Sequence, residues 1–438
     1  MKSDRLNIHE TILFIGLMIA VLAIPFSIQL CHFGILIIVL NWIVQGNWKE
    51  KWNLIQQTPQ VVFFALYFSW IVFGTFYSED FANAWLNVEK KFTFAVLPIV
   101  LATSTVSDKN KTFLYQAFVF CCGVGAVICL GSAVYRIYIN SDLTFLNFGI
   151  TQPGLLLSNP LFTNNWQQLS YVALASGIGI HPTYFSVYLI FCICIVVSQY
   201  YARILNGYVS LALILFFTLF LALLSSRIIL MVILTFALFG LAKAIVNISP
   251  ISFKKVAIVG TFISLFLILS ALNPISLYRD FQEIKSTNFR IRENSMYTNS
   301  TEIRLSLWWA GLKTSLRTNS IIGSGSGDTN LEMGETLANH NISNSLNTSD
   351  PHHQFINTFI ANGLIGLILL LCCYLYPVKQ AWLQGNTLQL SFIGLVVLAS
   401  LTESFLESQK GIVFFVLFQS LALRPAQFSA VDYKIASI

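Results

Sequence analysis

The stretch PHHQFINTFIANGLIGL, residues 351–367, marks the point where a long polar segment passes directly into an apolar run. The polar segment covers residues 273–354, and apolar runs lie on both sides of it. It holds seven of the 25 Lys and Arg residues and three of the six His residues. A protein made only of membrane spans and tight turns has little need for such a segment. Any chemistry that faces water is therefore expected here.

The composition around this segment is that of a membrane protein. Hydrophobic residues make up 56% of the 438 residues and charged residues only 10%, whereas soluble proteins carry about 25% charged residues. A span needs about 20 apolar residues, and the chain holds about a dozen such runs. The first run is too long, and too closely followed by the second, to be a cleaved signal peptide. We therefore expect an all-α polytopic membrane protein with about 12 transmembrane helices and one large, partly helical outer loop.

The apolar runs also define the expected domains. Residues 1–272 form a membrane domain of about nine spans with a minor outer segment near 140–180, residues 273–354 form the large outer loop, and residues 355–438 hold three spans and a short tail. The predicted spans are 11–26, 29–45, 60–77, 92–106, 113–138, 182–201, 205–224, 228–247, 256–272, 355–376, 387–402 and 411–423.

The basic residues orient these spans. Short cytoplasmic loops are enriched in Lys and Arg, whereas long translocated segments are exempt from this rule. With the N-terminus inside, 13 basic residues lie at the cytoplasmic side and five at the short outer turns. Twelve spans with both termini in the cytoplasm is the consistent solution, and it accounts for the net charge of +6 without any nucleic-acid partner. The large loop and the candidate residues described below then reach one outer face.

The large loop has two recognisable parts. Residues 302–317 place Ile303, Leu307, Trp308, Gly311 and Leu312 at helical spacing, which predicts an amphipathic helix near the membrane surface. The glycine cluster 323–327 follows, but no strand precedes it and no Lys-Ser/Thr pair follows it, so a nucleotide-binding loop is rejected. The eight cysteines lie in or beside apolar runs without zinc-site spacing and are expected to be small core residues.

Four arginines are candidate anion ligands. Arg227 lies at the outer end of one span and the start of the next, and Arg304 lies on the predicted loop helix one turn before Trp308. Guanidinium groups bind phosphate oxygens in bidentate fashion, so this pair could hold a diphosphate. Arg290 and Arg292 are weaker candidates of the same kind. The alternatives are a snorkelling side chain for Arg227 and a solvated helix face for Arg304.

Histidines and carboxylates supply the candidate proton acceptors. His352 and His353 close the loop, and a neutral imidazole can take a proton from a hydroxyl group. A metal site is the rival interpretation, but adjacency does not place both rings on one helix face, so no metal is expected. The remaining candidates are His181 and Tyr184 at the start of a span and Glu403 and Glu407, one helical turn apart, which could orient an imidazole or an arginine; the alternative for the carboxylates is a solvated loop.

The order of these motifs resembles the O-antigen ligase and O-antigen polymerase superfamily of bacterial membrane glycosyltransferases. The resemblance covers nearly the whole chain. It is carried by these motifs, in chain order: Gly74-x-x-Tyr77-Ser78, His181-Pro182-Thr183-Tyr184, Ser225-Ser226-Arg227, Arg304-x-x-x-Trp308, Gly323-x-Gly325, Pro351-His352-His353-Gln354-Phe355, Gly363-x-x-Gly366 and the Glu403 turn.

The resemblance implies a GT-C-like, metal-independent transferase without a cofactor in the bacterial inner membrane, with its site on the periplasmic face. Its donor would be a glycan on undecaprenyl diphosphate, and its acceptor hydroxyl would belong to lipid A-core or a growing glycan. By the same resemblance, Arg227 and Arg304 match the diphosphate-binding arginines and His352 matches the essential histidine. At His353 the family more often carries Asn. Glu403 is expected to orient the His352 ring.

Two kinds of alternative stay open. Within the superfamily, a polysaccharide polymerase or a protein O-oligosaccharyltransferase would use the same lipid-diphosphate site. From another class, a transporter or flippase would carry polar residues at mid-span and interrupted helices in corresponding halves. Most spans are uncharged through their centres, and no such pairing of halves is visible.

Overall fold

The computed structural model describes residues 2–139, 168–224, 300–340, 342 and 350–423. The predicted spans 228–247 and 256–272 lie outside these residues, as do three of the candidate arginines, Arg227, Arg290 and Arg292.

The described residues form helices joined by short connections, and no strand occurs among them. The helices are α1 (Lys2–Ala23), α2 (Ile28–Gln45), α3 (Trp48–Gln56), α4 (Pro59–Thr75), α5 (Phe81–Lys91), α6 (Thr93–Ala102), α7 (Asp108–Ile139), α8 (Tyr171–Ala175), α9 (Pro182–Tyr201), α10 (Gly207–Leu224), α11 (Ser300–Arg317), α12 (Thr329–Asn339), α13 (Gln354–Leu383), α14 (Thr387–Thr402) and α15 (Gln409–Leu421), with 3-10 turns at Ser176–Ile178 and Phe405–Glu407.

Five of these helices, α2, α7, α9, α10 and α13, are long and apolar enough to cross a membrane. The pair α3 and α4 makes a sixth candidate if it is one span, although its axis bends by 92° between the two helices. The chain is therefore a multi-pass, all-α membrane protein, as the composition predicted. Six of the ten predicted spans within the described residues lie on these helices, with 60–77 on α4. The other four, 11–26, 92–106, 387–402 and 411–423, lie on α1, α6, α14 and α15, whose apolar parts are shorter than a full span.

Tryptophan and lysine side chains cluster at the bend between α3 and α4. Trp48 and Trp52 are exposed on α3, and Lys51 donates a hydrogen bond to the Trp42 carbonyl at 2.6 Å while its ammonium lies 4.4 Å from the centre of the Trp42 ring. The Trp42 indole in turn donates to the Thr103 hydroxyl at 2.7 Å. Such a composition is typical of a membrane–water interface.

The chain divides into two compact units, Met1–Ala117 with Thr287–Ile438 and Phe118–Ser286. The core of the first unit is rich in aromatic rings: Phe64 stacks on Phe94 and on Phe415 at centroid distances of 5.6 and 5.8 Å. In the second unit Phe185 of α9 packs edge-on against Phe220 of α10 at 5.5 Å. Both sets of rings are fully or almost fully buried.

Helix α13 is broken at Gly363, so the predicted span 355–376 is not one continuous helix. Gly363 has φ 62° and ψ −165°, a combination that is essentially restricted to glycine. The break leaves backbone groups on both sides without helical partners, and residues 320–325 of the large loop supply them. The bonds run from Ser324 N to Ile360 O (2.9 Å), Gly325 N to Ala361 O (3.0 Å), Leu364 N to Ser320 O (2.9 Å) and Ile365 N to Ile321 O (3.2 Å).

The same loop is fixed to the end of α4. The Tyr77 hydroxyl donates to the Ile322 carbonyl at 2.6 Å, and the Ser78 hydroxyl accepts the Gly327 N–H at 3.0 Å. The Asp328 carboxylate accepts the backbone N–H groups of Glu79 and Asp80 at 2.9 and 2.8 Å. The backbone N–H groups of residues 323–328 are all bonded within the protein.

The predicted loop helix is confirmed as α11. Leu307 and Ala310 are buried in one cluster with residues of α12 and of the start of α13. Gly311 allows the approach, since a Cβ at this position would lie 2.5 Å from the Ile356 side chain. Leu312 differs from the expectation: it was placed on the apolar face, but it is 49% exposed.

Candidate functional site

His352 lies in the connection that leads into α13, and its backbone is held in an uncommon conformation. Its φ is 45°, in the left-handed region that non-glycine residues seldom adopt. The Asp350 carboxylate accepts the His352 N–H at 2.8 Å and so stabilises this turn. Strained backbone of this kind persists where the surroundings over-determine it, often at functional sites.

The two adjacent histidines point to different surroundings. The His352 ring contacts Glu403, whereas the His353 ring packs edge-on against Trp308 with centroids 5.4 Å apart. His353 Nδ1 also accepts the Ile356 N–H at 3.4 Å and thereby caps α13. Of the two imidazoles, only His352 joins the other candidate site residues of the described chain.

Glu403 connects three candidate residues into one chain of contacts. It terminates α14, and its side chain is 12% exposed. Its Oε2 lies 2.9 Å from His352 Nδ1, and its Oε1 accepts a hydrogen bond from Arg304 Nη2 at 2.8 Å. Because a carboxylate accepts and does not donate, the neutral form of His352 carries its proton on Nδ1 and leaves the lone pair on Nε2. The His352 side chain is 43% exposed.

The electrostatics of the site favour a proton on His352. The hydrogen bond that His352 donates to Glu403 raises the pKa of His352 most, Asp350 raises it further, and burial and Arg304 oppose the rise. Burial raises the pKa of Asp350, while burial lowers that of His353. An imidazole that has just taken a proton is therefore stabilised at His352 and disfavoured at its neighbour.

Arg304 lies on α11, and only one of its nitrogen atoms is bonded to another described residue. This atom is Nη2, which donates to Glu403, and 27% of the side chain is exposed. A guanidinium carries five N–H donors. The other donors on Arg304 can meet an anion while the bond to Glu403 persists.

A second ion pair lies behind the first. Glu407 faces Lys91 and not His352 or Arg304: the Lys91 ammonium is 2.8 and 2.7 Å from the two Glu407 oxygens. Gln354 joins this pair, since its side-chain amide donates to Glu407 at 3.0 Å and its oxygen accepts the Leu406 N–H at 2.7 Å. Sequence reasoning missed Lys91, Gln354 and the contact from Asp350. The only available signal for Lys91 was a basic pair immediately before an apolar run.

The other candidates among the described residues are His181 and Tyr184. His181 caps α9, where its Nδ1 accepts the Thr183 N–H at 3.4 Å, and its ring meets the rings of Tyr171 and Tyr184 edge-on. These residues belong to the second compact unit. Among the described residues, no group of three or more His, Cys, Asp and Glu side chains is arranged to hold a metal ion.

No protein-family model and no curated protein matches this chain. The site combines a half-exposed imidazole, a carboxylate that orients it, and a guanidinium of which only Nη2 is bonded to another described residue.

Proposed function

We propose that the chain is a membrane glycosyltransferase of the O-antigen ligase and polymerase type, which transfers a glycan from undecaprenyl diphosphate to an acceptor hydroxyl group. The observation that carries the proposal is the bridge that Glu403 makes between Arg304 and His352. This bridge sets a cation suited to a diphosphate beside a base suited to a hydroxyl proton. The proposed reaction needs both groups.

In the proposed reaction the acceptor oxygen attacks the anomeric carbon of the donor glycan. The new bond joins that oxygen to the anomeric carbon, and the bond from the anomeric carbon to the phosphate oxygen breaks. The hydroxyl proton moves to His352 Nε2, and Glu403 stabilises the resulting imidazolium through Nδ1. The electron pair of the broken bond leaves with undecaprenyl diphosphate.

Negative charge grows on the diphosphate as it leaves, and fixed cations lower the barrier by meeting that charge. Arg304 offers its remaining N–H donors for this purpose. By the family resemblance Arg227 would be the second such cation. The donor set calls for no metal ion and no cofactor, because proton transfer and charge stabilisation come from these side chains.

The finer topology belongs to this proposal: twelve spans, both termini in the cytoplasm and the site on the periplasmic face of the bacterial inner membrane. The lipid bilayer is then a partner as well as a solvent.

We place the chain with the ligases, for which the acceptor is lipid A-core. A polymerase or a protein O-oligosaccharyltransferase of the same superfamily is the alternative, since the acceptor surface and not the diphosphate site separates them. Deletion in the native host distinguishes these activities. Full-length polymer stranded on its lipid carrier indicates a ligase, single repeat units on a finished lipid core indicate a polymerase, and loss of glycan from proteins alone indicates the third.

The test of transfer itself uses the purified full-length chain in detergent with undecaprenyl-diphosphate-linked glycan and lipid A-core. We expect a glycosylated acceptor and free undecaprenyl diphosphate in equal amounts. A flippase moves its substrate across a bilayer and forms no such product in detergent. Absence of product from well-folded protein, with a positive result for lipid movement in vesicles, would replace the proposal with the transport alternative.

A further inference from the structure

Lys91 is a buried cation with no access to a substrate. Its side chain is 5% exposed, and its ammonium is held between the two oxygens of Glu407. Burial of an ion pair carries a large desolvation cost and gives little net stability. Such a pair is therefore expected to hold the chain segments that carry it in a fixed arrangement.

The geometry that this pair fixes is the approach of two chain segments. Glu407 ends the 3-10 turn that begins two residues after Glu403, and Gln354 lies two residues after His352. Gln354 holds that turn at two points, the Leu406 N–H and the Glu407 carboxylate. Lys91, which lies on a third element, α5, forms an ion pair with the same carboxylate.

We propose that Lys91 is a positioning residue, which through Glu407 and Gln354 holds the Glu403 turn at hydrogen-bonding distance from His352. The His352–Glu403 contact is 2.9 Å long. A displacement of the turn by about 1 Å would break it, and misplacements of that size can cost about 100-fold in rate. The structural part of this inference stands on the contacts alone, whereas its catalytic consequence rests on the proposed function.

The groups that face His352 are Asp350, Glu403 and Arg304, and the Lys91–Glu407 pair lies behind Glu403. The contact with Glu403 is the largest influence that raises the pKa of His352. If the turn loosens, this influence weakens while burial continues to act, so the pKa of His352 falls. The His352 titration therefore reports the position of the turn without any need for turnover.

The experiment compares Lys91→Met with Lys90→Met in the full chain in lipid nanodiscs. Lys90 is the adjacent lysine, is only half-buried and forms no ion pair within the described residues. Histidine-selective NMR, with His352 assigned through a His352→Gln sample, measures its titration. We expect the His352 pKa to fall in Lys91→Met and to stay at the wild-type value in Lys90→Met.

Transfer kinetics supply the second readout. In Lys91→Met we expect kcat to fall about 10- to 100-fold, while the KM for the lipid-linked donor changes by less than about threefold because Arg304 is retained. The acid limb of the pH–rate profile should move to lower pH, since the base then titrates at a lower pKa. A general loss of folded protein would lower the rate without moving this limb.

Lys91→Met leaves the partly buried Glu407 carboxylate without its cation and can fail to fold, so Lys91→Met/Glu407→Gln is the second variant. It removes both charges and both hydrogen bonds of the ion pair together, and the same fall in the His352 pKa is expected. An unchanged His352 titration in either folded variant would overturn the proposal. If neither variant folds, Lys91 serves the fold as a whole and the proposal is equally overturned. A shifted titration in a chain that transfers no glycan would refute the proposed function and leave the positioning role standing.

Discussion

At the scale of single residues, two neighbouring histidines have separate surroundings. His352 takes the left-handed backbone conformation and turns its ring to Glu403, while His353 takes an extended conformation and caps α13. Adjacency in sequence fixes neither ring direction, so the sequence favoured His352 only through its family resemblance. The packing of α11 and α14 against the start of α13 determines which of the two rings contacts Glu403.

The two histidines make a matched pair of substitutions. We expect His352→Ala to lower the transfer rate by at least about 100-fold, because a general base typically accelerates a reaction by about that factor or more. His353→Ala should retain activity within about tenfold, because its ring contacts Trp308 and lies away from Arg304 and Glu403. The assay is transfer in membranes in which both variants are present at wild-type levels. Equal losses of transfer activity in the two variants would contradict the assignment of different roles to His352 and His353.

At the scale of elements, the large loop and α13 depend on each other. The loop completes the backbone hydrogen bonds that the break at Gly363 leaves open, and the motifs around Gly74 and Gly323 make close contact there. Hydropathy predicted the apolar run of α13 correctly. It could not predict the break, because hydropathy averages over about 20 residues and the break occupies one.

Gly363→Ala is expected to destabilise the protein by about 3 kcal/mol, from backbone strain and from overlap of the new Cβ with the Ile321 carbonyl. Gly385→Ala is the matched control: Gly385 also has a positive φ, 63°, but open space around it, so its cost should be about 1 kcal/mol. Thermal unfolding of the two variants in one detergent measures the difference. Equal unfolding temperatures would show that the loop does not require the break.

Helix α5 shows the other limit of sequence reasoning. Residues 81–91 were not assigned to any element, because the segment is short and only weakly apolar, yet it delivers Lys91 to the site. Glu403 and Glu407 were expected to act as a pair on an imidazole or an arginine. Their spacing was read from sequence, but the partners of each come from distant parts of the chain. Glu403 contacts α11 and the connection that leads into α13, and Glu407 contacts α5 and α13.

At the scale of the whole molecule, the proposed topology puts the Arg304–Glu403–His352 cluster on the outer side of the membrane. Glu50 on α3 and Glu79 beyond the end of α4 lie on either side of the α4 helix, and both side chains are exposed. In a cysteine-free chain we expect Glu79→Cys to react with a membrane-impermeant maleimide from the periplasmic side. Glu50→Cys should react only after the membrane is opened. The reverse pattern would place the cluster in the cytoplasm and refute the topology.

The pH dependence of glycan transfer tests the central claim, that His352 is a base whose pKa the surrounding charges set. Glu403 raises the pKa of His352 and Arg304 lowers it. The base acts when neutral, so the rate rises with pH through the His352 pKa. Compared with wild type, Glu403→Gln should move this acid limb to lower pH and Arg304→Met should move it to higher pH, each with a reduced maximal rate. Acid limbs that coincide in all three proteins would contradict the assignment of His352 as the base.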